Sequence, residues 1–193
     1  AHYLGDIDFV NAPIDSLINQ KYIKQRMSSF SWKKATPSSE VSQGKILGYE
    51  SNETTHYSIV DQFGNAVAVT TTLNTNYGSK VLVKGAGFFL NNEMDDFSSK
   101  PGVPNVYGLM GSIANEIAPE KRMLSSMTPT IVEKNGKLFM VVGTPGGSTI
   151  ITSVLQNIIN VVDYKMSMQE SVNQPRFHHQ WLPDEIKLEP NSF

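Results

Sequence analysis

Thr54 stands at the point where the texture of the chain changes. From Ser28 to Glu53 the sequence is a loose run of Ser, Lys, Pro, Gly and Glu; from Thr54 it turns abruptly β-branched. A threonine hydroxyl is a weak nucleophile at neutral pH and needs a base. If the Glu53–Thr54 peptide bond is cut, the new α-amine lies beside the hydroxyl with a reference pKa of about 7.7–8.0. It can then accept the hydroxyl proton with no His or Asp required. A connector ending in Glu53 would deliver that arrangement, although a Thr-Thr pair at a strand start is by itself commonly structural.

Two further clusters have chemical potential. Gly146 and Gly147, in Gly143-Thr144-Pro145-Gly146-Gly147-Ser148, precede a helical pattern. Backbone N–H groups there can face a developing oxyanion, helped by the helix dipole. A tight strand-to-helix turn that needs glycine for positive φ explains the same residues. The absence of lysine from Gly143 to Thr149 argues against a nucleotide P-loop. Asn91-Asn92-Glu93-Met94-Asp95-Asp96 is a dense polar run. Its carboxylates could hold a substrate ammonium by charge-assisted hydrogen bonds. The spacing does not match an EF-hand loop, and a solvated loop is the commonest meaning of such a run. His178-His179 reads as structural hydrogen bonding rather than metal ligation, because adjacent residues point apart. Asn52-Glu53-Thr54 is formally a glycosylation sequon, discounted because a glycan would obstruct Thr54.

The elements that must position these groups are legible in part. Ile14, Leu17, Ile18, Tyr22 and Ile23 predict an amphipathic helix from about Pro13 to Arg26. His56–Val60 and Ala66–Leu73, joined by Asp61-Gln62-Phe63-Gly64-Asn65, predict a hairpin. Gly85–Leu90 is a weaker strand candidate, and Asn91 to Ser126 a long irregular stretch of the kind that is usually functional or mobile. Thr130–Lys134 and Lys137–Val142 flank Asn135-Gly136, the strongest hairpin signal in the chain. Ile150, Ile151, Val154, Leu155, Ile158, Ile159 and Val162 predict a broad apolar helix face. Ser167 with Glu170 predicts a capping box at the start of another helix.

Bulk properties narrow the field. A chain of 193 residues can build a real core, and 39% hydrophobic with 18% charged residues argues against disorder. A formal net charge of -2 gives no reason to expect nucleic acid or an anionic membrane as partner. No apolar run approaches a membrane span of about 18 residues. The lack of cysteine excludes thiolate catalysis and Cys-based zinc sites. Ala1–Asp6 has neither the basic nor the apolar region of a signal peptide and lacks Met, and the chain stops after a strand-like stretch. The expectation is a piece of a longer protein.

Several motifs together resemble the γ-glutamyltranspeptidases, bacterial type. Glu50-Ser51-Asn52-Glu53-Thr54-Thr55-His56-Tyr57-Ser58 is similar to their processing junction. Asn91–Phe97, Pro101–Gly108, Leu124–Met127, Pro145–Ser148 and Pro175–Pro183 follow in the family's order and approximate spacing. The resemblance spans nearly the whole chain. It implies an α+β fold, the αββα sandwich of N-terminal nucleophile hydrolases, present as a partial chain. Residues 1–53 would be the end of the large subunit with the pre-cleavage linker, and 54–193 the small-subunit catalytic segment without its last strands.

Autocatalytic cleavage before Thr54 would make it the nucleophile, with Thr72 helping to activate it. The resemblance assigns Asn74, Glu93 and Asp96 to the substrate's α-amino end, Ser125 and Ser126 to its α-carboxylate, and Gly146 and Gly147 to the oxyanion hole. Tyr107 would close a lid by bonding to Asn74. The implied reaction is two-step γ-glutamyl transfer without cofactor or metal. Glutathione or another γ-glutamyl compound is the donor, and water, an amino acid or a peptide the acceptor. The rest of the large subunit is the implied protein partner, supplying an arginine for the substrate carboxylate. Periplasmic or secreted location is also implied, with no nucleic acid or membrane partner.

The chain departs from the family pattern at Thr149, where an arginine is common, at Met123, where a proline is usual, and at Gly111-Ser112-Ile113. These touch fine substrate preference. A cephalosporin acylase or poly-γ-glutamate transpeptidase of the same fold, and an unprocessed non-catalytic homologue, are the competing readings. The polar run and the Ser125-Ser126 pair favour a substrate with a free amino-acid end, hence the γ-glutamyl reading.

Overall fold

A computed structural model describes residues 3–41, 54–98, 112–180, 184–190 and 192. The chain forms two compact units. One gathers Ala1–Tyr49, Met94–Leu124 and Trp181–Asp184; the other gathers Glu50–Glu93, Ser125–Gln180 and Glu185–Phe193. The expected division between residues 53 and 54 adjoins 42–53, which lie outside the described residues.

In the first unit the predicted helix is two short ones, α1 (Ile14–Leu17) and α2 (Gln20–Arg26). The break has a local cause. The Asn19 side chain accepts hydrogen bonds from the N–H groups of Lys21 (2.9 Å) and Tyr22 (3.4 Å), so it caps a new helix instead of continuing the old one. Polar anchors hold the rest of this unit. The Asp6 carboxylate accepts from the backbone N–H of Arg122 (2.8 Å) and from its guanidinium Nε (2.9 Å), with Nη2 on the other oxygen. The guanidinium also pairs with Asp8. These bonds, the Arg122 side chain foremost, hold the Asp6 carboxyl far below the usual carboxylate range. Asn115 is buried and works with both ends of its amide: Nδ2 donates to the Asp96 carbonyl (2.7 Å) and Oδ1 accepts from Leu124 N–H (2.9 Å).

The second unit is built from hairpins and helices. β1 (Thr54–Val60) and β2 (Ala66–Thr72) pair antiparallel, as predicted. Their turn is closed by Asp61, whose carboxylate accepts from the N–H groups of Phe63 and Asn65, both at 2.9 Å, with Gly64 at φ 85°. Gly85–Leu90 does not become a strand. Only a single bridge, Leu82 to Phe89, forms there, because Gly85 and Gly87 adopt φ of 86° and 77° and bend the segment into a loop. β3 (Thr130–Lys134) and β4 (Lys137–Val142) pair across Asn135-Gly136, both left-handed at φ 54° and 72°.

Helix α3 (Thr149–Val162) lays Ile150, Val154, Ile158 and Val161 against Met140 and Val142 of β4, with Met127 and Val132 completing the core. The apolar face is narrower than its sequence suggests. Ile151 and Leu155 lie about 100° round the helix from the core stripe and are half exposed, at 51% and 52%. Helix α4 (Met168–Asn173) begins with the predicted Ser167–Glu170 capping box. Its buried Ser171 donates to Asn157 Oδ1 on α3 at 2.8 Å, joining the two helices. The short strands β5 (Phe177–His178) and β6 (Lys187–Leu188) pair antiparallel.

Candidate active site

The β1–β2 register sets Thr54 directly opposite Thr72 and His56 opposite Thr70. Opposed residues and those two apart share a face of an antiparallel pair, so all four side chains lie on one side of the hairpin. Thr54 and Thr72 are half-buried. The Asn74 backbone N–H donates to Thr72 Oγ1 at 2.9 Å, and Asn74 itself turns into the left-handed region at φ 77°. Asn74 in turn donates through Nδ2 to the Asn92 carbonyl at 3.1 Å. Asn92 answers with its side chain: Oδ1 accepts from Thr75 N–H (3.2 Å) and Thr75 Oγ1 (3.1 Å). The segment after β2 and the start of the polar run are thereby stitched together.

Glu93 follows directly, its N–H held by Asn91 Oδ1 at 3.1 Å. Partial burial pushes its carboxyl above the ordinary value. A substrate ammonium would reverse that direction, since an opposite charge favours the ionised form. Asp96 belongs to the first unit and Thr54 to the second. Tyr107 lies outside the described residues.

The glycine turn sits between β4 and α3. Gly146 and Gly147 have φ of 133° and 58°, conformations that side-chain-bearing residues rarely adopt. Among the described residues, neither of their N–H groups has an acceptor. Their carbonyls, by contrast, are engaged. The Gly146 carbonyl accepts from Thr149 N–H (3.1 Å) and Thr149 Oγ1 (2.7 Å), and the Gly147 carbonyl accepts from Ser126 Oγ (3.0 Å). The departure at Thr149 thus has a local use, closing the turn with its hydroxyl. Ser126 thus braces the turn. Ser125 Oγ accepts from Met127 N–H at 3.1 Å, and its own hydrogen donates to nothing among the described residues.

Sequence reasoning gave no role to His56, Asn92 or Gly143. The His56 imidazole meets Thr70 Oγ1 at 2.8 Å through Nδ1 and Ser58 Oγ at 3.0 Å through Nε2, and burial lowers its pKa. It lies flat against Gly143, where any Cβ would collide with the ring. This contact ties the Thr54 face of β1 to the entrance of the glycine turn. The alternation Thr54-His56-Ser58 was a visible signal for that shared face.

The arrangement gathers a strand-start threonine, a hydroxyl opposite it, open N–H donors at a helix mouth and a partly buried carboxylate within one unit. Known proteins similar to this chain fall in one family. The family described as gamma-glutamyltranspeptidase covers residues 1–193. The glutathione hydrolase proenzyme of Escherichia coli (strain K12) is 57% identical over 189 residues, 98% of this chain and 33% of that protein. The proenzyme of Pseudomonas aeruginosa is 51% identical over 183 residues, 95% of this chain and 32% of that protein. Among solved structures, an acivicin-inhibited γ-glutamyltranspeptidase aligns with a TM-score of 0.69 and 62% identity, covering 72% of this chain and 74% of that one. A mutant γ-glutamyltranspeptidase of Helicobacter pylori aligns with a TM-score of 0.67 and 64% identity, over 69% of this chain and 72% of that one. The chain spans about a third of the length of the curated relatives it matches. It carries part of the mixed α/β, N-terminal nucleophile hydrolase fold of those solved structures and belongs to the γ-glutamyltranspeptidase family.

Proposed function

We propose that the full-length protein transfers or hydrolyses γ-glutamyl groups through a γ-glutamyl ester on Thr54, formed after autocatalytic cleavage of the Glu53–Thr54 bond. The observation that carries this reading is the register of the first hairpin, which sets Thr54 opposite Thr72 at the strand's first residue. Cleavage frees the α-amine of Thr54, which takes the hydroxyl proton as the oxygen attacks the donor's γ-carbonyl. The open N–H groups of Gly146 and Gly147 meet the oxyanion of the tetrahedral intermediate. Collapse returns the proton to the departing amine, for glutathione that of the cysteinyl-glycine half. Water, an amino acid or a peptide then attacks the ester by the same proton route and releases glutamate or the γ-glutamyl product.

On this reading the α-amino end of the donor is held by Asn74, Glu93 and Asp96, its α-carboxylate by Ser125 and Ser126, and Tyr107 closes over it. The remainder of the large subunit completes the site, in a periplasmic or secreted enzyme. The acivicin-inhibited relative has critical roles assigned to its C-terminus in autoprocessing and catalysis. That supports an active site shared beyond this segment.

The test is direct trapping. Full-length protein quenched during turnover of γ-glutamyl-p-nitroanilide should carry one γ-glutamyl group on the peptide that begins with Thr54, read by mass spectrometry. The group on any other residue would sink the assignment.

A further inference from the structure

The motif Pro175–Pro183 has no role in the reaction described above, yet its buried histidine is wired to the glycine turn. Ser148 occupies the N-cap of α3 but makes no side-chain bond to the helix's own N–H groups, the ordinary use of serine there. Its hydroxyl instead donates to Gln180 Oε1 at 2.6 Å. The same oxygen lies 2.9 Å from His178 Nε2. An amide oxygen only accepts, so Nε2 carries a proton and two donors converge on one acceptor. The other ring nitrogen, Nδ1, lies 2.8 Å from Thr152 Oγ1, one turn into α3. The loop therefore closes on the helix it left, from Ser148 through Gln180 and His178 to Thr152.

His178 is only 6% exposed. Gln156, also on α3, clamps the preceding residue, donating through Nε2 to the Phe177 carbonyl (2.7 Å) and accepting Phe177 N–H at Oε1 (3.1 Å). A polar network of this kind, closed around a buried histidine, fixes one geometry, where an apolar residue would only fill space. The turn it reaches consists of two glycines, the residues with most freedom to lose. Ser126 braces the turn at the Gly147 carbonyl and Thr149 at the Gly146 carbonyl, and Ser148 adds a third hold from outside the turn.

We infer that His178 and Gln180 are positioning residues, which hold the Gly146–Ser148 turn so that its N–H groups stay aimed at the oxyanion. The inference rests on the oxyanion reading of the glycine pair. It is tested in the full-length enzyme, with rates corrected for the cleaved fraction. Gln180→Met removes the shared acceptor at similar volume, whereas Gln180→Glu keeps an oxygen for both donors. The readouts are kcat and KM with a γ-glutamyl anilide, and the inhibition constants of glutamate and of its analogue with a boronic acid replacing the γ-carboxyl. The boronate adduct on the nucleophile is tetrahedral and covalent and puts its negative oxygen where the oxyanion forms, whereas the γ-carboxylate of glutamate is planar and unattached.

Misaimed donors cost the transition state and spare the ground state, so Gln180→Met should lower kcat about 10- to 100-fold and weaken the boronate in parallel. KM and glutamate binding should stay within about threefold, and Gln180→Glu should restore most of the rate. Should Gln180→Met not fold, Ser148→Ala removes the hydroxyl that links Gln180 to the turn and should give the same split. An unchanged kcat, an equal weakening of boronate and glutamate, or a Gln180→Glu variant as impaired as Gln180→Met would each overturn the inference alone. A wild-type enzyme that binds the boronate no tighter than glutamate would overturn the oxyanion reading, and the inference with it.

Discussion

Thr72 Oγ1 accepts the Asn74 N–H, so the turn that follows β2 helps set its orientation. Glu93 and Asp96 present a different case. Glu93 is partly buried with a carboxyl pushed upward, the condition under which a bound ammonium gains most from it. If Asp96 joins it on the substrate, Asp96→Ala in the full-length enzyme should lose about 2–5 kcal/mol of transition-state binding. Catalytic efficiency with γ-glutamyl-p-nitroanilide, measured on folded and cleaved protein, checks this; an unchanged value removes Asp96 from the site. Thr54 and the glycine pair could be singled out locally because strand starts and glycine-rich helix mouths have known physical uses, whereas Thr72 drew notice only through the family resemblance. Asn92 and His56 drew none. Their roles depend on partners 17 and 14 residues away, which spacing within one element does not reveal.

Elements closed by their own turn chemistry were read correctly from local sequence, including both long hairpins, the Asn135-Gly136 turn and the Ser167–Glu170 box. Elements decided by competition were not. Asn19 split one predicted helix into two by offering a cap, and two glycines at positive φ dissolved the Gly85–Leu90 strand. The width of the α3 face was overestimated because apolar content counts Ile151 and Leu155 alike with the core stripe. Between elements, the contact of His56 with Gly143 is the joint that carries the Thr54 strand to the glycine turn. Gly143→Ala places a methyl in the ring's position and forces the two elements apart. Overpacking of this sort costs about 1–3 kcal/mol. Chemical denaturation of the full-length variant should show that loss; a midpoint equal to wild type would mean the imidazole moves aside freely.

At the scale of the whole molecule, the chain spans about a third of the length of its curated relatives. That has a functional consequence. The purified 193-residue chain should hydrolyse γ-glutamyl-p-nitroanilide poorly or not at all beside the full-length enzyme. Without cleavage the Thr54 nitrogen is an amide and the base is missing. Positioning groups supplied from elsewhere in the protein would be missing too. Comparable turnover from the two would mean that the site is self-contained. The central claim, that Thr54 becomes a free amino-terminal nucleophile, is tested most directly by the amino-terminal sequence of the smaller fragment of the full-length protein, with Thr54→Ala run beside it. The account predicts a fragment beginning Thr54-Thr55-His56 in the wild type and a single uncut chain in the variant. Any other fragment start, or cleavage undiminished in Thr54→Ala, would contradict it.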